Sequence, residues 1–162
     1  MGLRLPGAVE WLLNEMNYIW PEVDEDKLAE LGRHWLAYGG KLQTISGEAQ
    51  SAAAEVWTGN HGPMVDAFKA RWEHEKSPAA VLRDGATAAY AMGAVLELCA
   101  VVVLMLKIHV LMELYRLLVL IYEAIMLGPE TGGGSLAFIA LYKEISRRIV
   151  DLFFNMAIDA IL

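Results

Sequence analysis

Cysteine is almost absent from this chain: Cys99 stands alone within the apolar run at residues 98–106, so neither an intrachain disulfide nor a cysteine-based metal cluster can form. It reads as a small core residue. Basic charge is also scarce. Thirteen Lys and Arg face 20 Asp and Glu, a formal net charge of −7, and no basic run or basic–aromatic interleaving occurs. Such a chain repels phosphate backbones, which excludes nucleic-acid binding. The N-terminus lacks the layout of a secretory signal peptide, with one Arg, no sustained apolar core and an early Glu10. Pro6 stands where a myristoylation signal needs Ser or Thr.

Chemistry-bearing patterns are missing as well. His34, His61, His74 and His109 fit no ligand spacing, and the neighbours in Glu73-His74-Glu75 would point apart on a helix, so no metal site is expected. Glu97 and His109 read as solvated or ion-paired positions. There is no nucleophile elbow, dinucleotide fingerprint or paired carboxylate set. The glycine-rich segment 128–135 lacks the lysine of a phosphate loop and follows a helix instead of a strand. No catalytic residue, cofactor or enzyme activity is expected.

What the chain has in abundance is hydrocarbon. Its apolar fraction is 56%, above the roughly 45–50% usual for soluble domains, and its mean hydropathy is +0.37. The charge divides unevenly, with 7 basic and 12 acidic residues in 1–77 against 6 and 8 in 78–162. The front is the more polar half.

Helical periodicity accounts for most of this material. Residues 5–17 form a short helix with Pro6 in its first turn and Val9, Leu12, Leu13 and Met16 on one face. Trp20-Pro21 breaks it, and Asp24 or Asp26 is suited to cap the next helix. From Leu28 a seam at Leu31, Trp35, Tyr38, Leu42 and Ile45 runs on to Ala49, Ala52 and Val56 in alternate steps of three and four. That spacing predicts burial against another helix. Gly39-Gly40 would weaken the middle.

Trp57-Thr58-Gly59 then supplies a helix stop, a reversal and an aromatic anchor, with Gly59 suited to a positive φ. Val65, Phe68 and Trp72 form a second seam, and the two helices predict a hairpin. Residues 79–127 are a long apolar stretch. On a helical wheel Arg83, Asp84, Glu97, His109, Glu113, Arg116 and Glu123 share one sector, and Lys107 stands outside it. The uncharged runs 98–106 and 117–122 are each too short to span a bilayer. A last amphipathic helix places Phe138, Leu141, Ile145, Ile149 and Leu152 on one side. Its pattern stops uncapped at Ala160-Ile161-Leu162, as expected of a piece cut from a longer chain.

The heptad-rich helix, the Trp57-Thr58-Gly59 corner and the following amphipathic helix resemble the WXG superfamily of substrates exported by type VII (ESX) secretion systems. A wider order of features extends the likeness over nearly the whole chain: Leu5-Pro6-Gly7, Trp20-Pro21-Glu22, the corner, the long apolar helix, and Thr131-Gly132-Gly133-Gly134-Ser135 before a last helix. It is similar to the N-terminal domain of actinobacterial polymorphic toxins, including the mycobacterial channel-forming necrotizing toxin. The resemblance implies a non-catalytic targeting and assembly module. It would be made in the cytoplasm and secreted by a non-signal-peptide route, engaging the secretion machinery and pairing with a helical partner or with copies of itself. Only Trp57 and Gly59 carry over from the motif. The family's further signal, Tyr followed four residues later by an acid near the end of the second helix, is not met, since Ala94, Val119, Met126 and Ser146 follow Tyr90, Tyr115, Tyr122 and Tyr142.

These observations predict an all-α, elongated helical bundle forming one domain. Its parts are an N-terminal flap (1–26), a WxG hairpin (27–77), a long apolar helix (78–127), a Gly-rich linker (128–135) and a C-terminal helix (136–162). Trp57, Gly59, Trp35, Tyr38, Leu42, Phe68 and Trp72 are the candidate interaction residues. The competing expectation is a membrane-inserting, oligomeric pore in which the charged sector lines a polar lumen.

Overall fold

The computed structural model describes residues 2–161. Met1 and Leu162, assigned above to the flap and the last helix, lie outside the described residues. The fold is all-α, with no strand among the described residues: α1 (Gly7–Glu15), α2 (Glu25–Gly59), α3 (Pro63–Trp72), α4 (Pro78–Leu127) and α5 (Phe138–Asp159), with a 3-10 turn, Gly134–Ala137, leading into α5. The chain divides into two compact units. One combines residues 1–27 with 98–162, and the other comprises 28–97.

The first unit has a core of large aliphatic side chains. Val9, Leu12, Leu13 and Met16 of α1 and its end are each no more than 5% exposed, and they pack with Val110, Leu114, Leu117 and Ile121 of α4 and Val150 of α5. Fully burying one such side chain stabilises the fold by roughly 1.5–3 kcal/mol, which makes the short α1 an integral part of this unit. Ion pairing of Glu15 with Lys143 joins α1 to α5. Segment 128–135 is held by hydrogen bonds: Gly133 donates its amide to Gly128 O at 2.8 Å, and the Ser135 hydroxyl donates to Ala124 O at 2.7 Å. These bonds tie it to the end of α4.

A buried ion pair completes this unit. Lys107, which lies outside the charged sector of α4, donates from Nζ to Glu25 Oε2 and to Val23 O, both at 2.6 Å, and lies 6.0 Å from the Trp20 ring centroid. Both side chains are nearly inaccessible. Burial pushes the Glu25 carboxyl upward, but hydrogen bonds from the Leu3 amide and from Lys107 outweigh it and hold its pKa below the ordinary value. Satisfied in this way, an internal charge pair is tolerable; either partner alone would be costly. Asp24 caps α2 by accepting the Lys27 amide at 3.2 Å, and that bond is the leading cause of its lowered pKa.

The second unit is built differently. Along α2 the buried positions are Gly32, Gly39, Ser46 and Ala53, seven residues apart. Facing them on the antiparallel first part of α4 are Ala79, Ala86 and Gly93, also seven apart and buried. The backbones come into contact here: a Cβ on Gly32 would sit 3.0 Å from Gly93 O, and one on Gly93 would sit 2.9 Å from Gly32 O. Glycine at both positions is what permits the approach. Tyr90 covers Gly39 with its ring and donates its hydroxyl to Gln43 Oε1 at 2.9 Å. Within this unit α2 runs without a break through Gly39-Gly40. Ser77 caps α4 by accepting the Ala80 amide at 3.1 Å.

Candidate functional site: the hairpin corner and the outer face of α2

The corner forms because α2 runs out of helix-compatible chain at residues 60–62. Asn60 donates its side-chain amide to Val56 O at 3.0 Å, which gives one of the last four carbonyls of α2 a partner, and Thr58 donates its hydroxyl back to Ala54 O at 2.8 Å within the last turns of the helix. The positive φ falls at Gly62 (φ 132°), and Gly59 is still helical. This corrects the role read for Gly59. The chain uses three more residues before turning, because Asn60 continues the carbonyl capping and Pro63 must begin α3. A Cβ at Gly59 would meet open space.

Trp57, Phe68 and Trp72 come together as a row across the corner, with ring centroids 6.0 Å and 5.9 Å apart. Lys69 Nζ lies 5.9 Å from the Trp57 ring, and the Trp72 indole donates to Gln50 Oε1 at 2.8 Å. Aromatic contacts of this kind add about 0.5–1.5 kcal/mol beyond their buried area. They fasten α3 to the end of α2, although no described residue of α3 is buried.

Trp35 and Tyr38 are placed elsewhere. They form an edge-to-face pair 6.0 Å apart on the outward side of α2. There, with Leu31 and His34, they line a shallow depression of about 200 Å³. Leu31, Trp35, Tyr38, Ile45 and Val56 are all exposed, which overturns the expectation that this seam is buried within the chain. The physical reason lies one residue along, where the glycine, serine and alanine positions let two helical backbones touch and a stripe of Trp and Tyr could not. Leu42 is partly covered, within ordinary contact distance of the Gly85 position.

No cluster of three or more His, Cys, Asp or Glu converges among the described residues. Glu113 is buried and held by Arg116 in a two-pronged pair at 2.6 and 2.9 Å, so it is not free for acid–base work. A second depression in this unit, about 540 Å³, is lined by Gln43, Gln50, Arg83 and Tyr90 among others. The Tyr90 hydroxyl and the Trp72 indole already occupy the two glutamine carbonyls there. This surface can therefore offer shape, apolar area and aromatic rings, with no converging set of reactive groups.

No curated protein and no solved structure gives a match to the chain. Residues 5–149 match the family model described as a WXG100-like domain; the chain belongs to that family of helical domains associated with type VII secretion.

Proposed function

We propose that this chain is a non-catalytic targeting and assembly module of a type VII secreted toxin of the polymorphic-toxin kind, made in the cytoplasm and exported without a signal peptide. It would recognise a helical partner through the outer face of α2 and present the corner at Trp57 and Gly59 to the secretion machinery. The observation that carries the reading is the unused seam: Trp35, at 36% exposure, and Tyr38, at 51%, sit on a strict three–four repeat that no helix covers among the described residues. A repeat of that kind is the pattern by which one helix packs on another.

The test is export. A tagged chain produced in a host with an intact type VII system should appear in the culture filtrate and disappear from it when the system's ATPase is deleted. Trp57→Ala should reduce export while leaving the helical content intact. Equal release with and without the ATPase would sink the proposal.

One observation favours a second reading, insertion into membranes as an oligomeric pore. Within α4 an 18-residue window reaches a mean hydropathy of 2.3, and only 17% of it is buried. Flotation with liposomes together with dye release would support that reading, and a targeting module should produce neither.

A further inference from the structure

Within the first unit α4 carries a second repeat that the sequence hides, because almost every residue around it is also apolar. Met105, Ile108, Met112, Tyr115, Val119 and Tyr122 follow one another in alternate steps of three and four, and each is 37% to 64% exposed. The repeat extends back to Leu98 and Val101 and on to Met126, all more than half exposed. At 100° per residue it lies opposite the side that buries Val110, Leu114, Leu117 and Ile121. This second unused seam belongs to α4 and involves none of the corner residues.

We infer that this stripe is the contact by which two copies of the chain pair, α4 against α4 in antiparallel orientation about a twofold axis. The inference rests on the reading of the chain as an assembly module and names the occupant of a different surface from the α2 face.

Three features select that occupant. The first is periodicity: a bilayer imposes no seven-residue register, whereas a partner helix does. The second is area. Nine side chains of this size, about half exposed, present on the order of 1,000 Å² of mostly apolar surface, against about 800 Å² per partner in a standard interface. The third is the asymmetry of the flanks. One edge of the stripe carries His109, Arg116 and Glu123, and the other carries Leu104, Leu111, Leu118 and Ile125. Parallel pairing would set each charged edge against an aliphatic one and desolvate the charges. A twofold axis perpendicular to the helices instead brings aliphatic edge to aliphatic edge and leaves both charged edges on the wet side.

Sedimentation velocity on the full chain tests this, with Met112→Glu and, independently, Tyr122→Lys as disrupting variants. Met64→Glu on α3, where Met64 is 85% exposed, serves as control. The unaltered chain and the control should sediment as two chains, and each disrupting variant as one chain with unchanged circular dichroism. For orientation, Cys99→Ser chains carrying either Val101→Cys or Met126→Cys are mixed and oxidised; the two kinds should join to each other and not like to like. Four results would overturn the inference: a single chain throughout, a pair that survives both disrupting variants, like-to-like joining, or flotation with phosphatidylcholine–phosphatidylglycerol vesicles by a chain that is single in solution. All of these variants leave Trp35, Tyr38 and Trp57 intact, so their failure would not touch the export reading, which stands or falls on ATPase-dependent release.

Discussion

The two compact units bury their helices by opposite means. In residues 1–27 with 98–162, branched and long aliphatic side chains interlock, as Val9, Leu12, Leu114 and Leu117 do at 0% exposure. In residues 28–97 the buried positions are glycine, alanine and serine, and the helices meet backbone to backbone at Gly32 and Gly93. The consequence of the second method is that large side chains have no interior to enter. On α2 they point outward as Leu31, Trp35, Tyr38 and Ile45, so close packing inside produces a sticky exterior. Contact made by small residues and contact made by large ones thus leave different surfaces for other molecules.

This contrast can be broken by substitutions that act oppositely in the two units. Lys107→Met should have the largest effect, a loss of about 3–5 kcal/mol in urea denaturation, because it strands the Glu25 carboxylate in the interior. Adding Glu25→Gln to it should recover most of the loss. Leu114→Ala should cost about 2–5 kcal/mol by opening a cavity in the large-residue core. Enlargement should be the damaging change in the other unit: Gly93→Leu drives a side chain into the Gly32 carbonyl and should cost about 1–3 kcal/mol or more.

Acid should sharpen the comparison further. The Glu25 carboxyl titrates below its ordinary value of 4.5 when folded, so the pair contributes fully above that value, and its contribution is lost as pH falls from there through the depressed folded pKa. Melting temperatures recorded downward from pH 5 should fall more steeply for the unaltered chain than for the Glu25→Gln/Lys107→Met double variant. The smallest effect belongs to the outer face: Tyr38→Ser should shift stability by no more than about 0.5 kcal/mol, while weakening capture by a helical partner if that face is the docking surface.

Legibility from the sequence followed the same division. Where burial is by large residues, periodicity names the buried positions, and Val9, Leu12, Leu13 and Met16 were all readable from their spacing. Where burial is by small residues, the eye follows the larger ones. The stripe of Leu31, Trp35 and Tyr38 has the stronger pattern, yet the chain itself buries Gly32, Gly39, Ser46 and Ala53, which hydropathy barely registers. The aromatic row was half visible: Phe68 and Trp72 stand out by spacing, but their meeting with Trp57 required the corner geometry. Lys107 looked anomalous on a helical wheel because its partner lies 82 residues away, and no local pattern encodes such a contact. The outer stripe of α4 was masked by uniformity, since a repeat cannot be seen when nearly every position is apolar.

The turn at Gly62 has a consequence for how such corners tolerate change. A φ of 132° with an extended ψ of 168° is a backbone state that side chains with a Cβ scarcely enter, whereas Gly59 sits in plain helix. An alanine at 59 should slip in almost unnoticed, and one at 62 should wrench α3 off its aromatic fastening. The letter that gives the motif its name and the atom that the hinge cannot spare are therefore three residues apart.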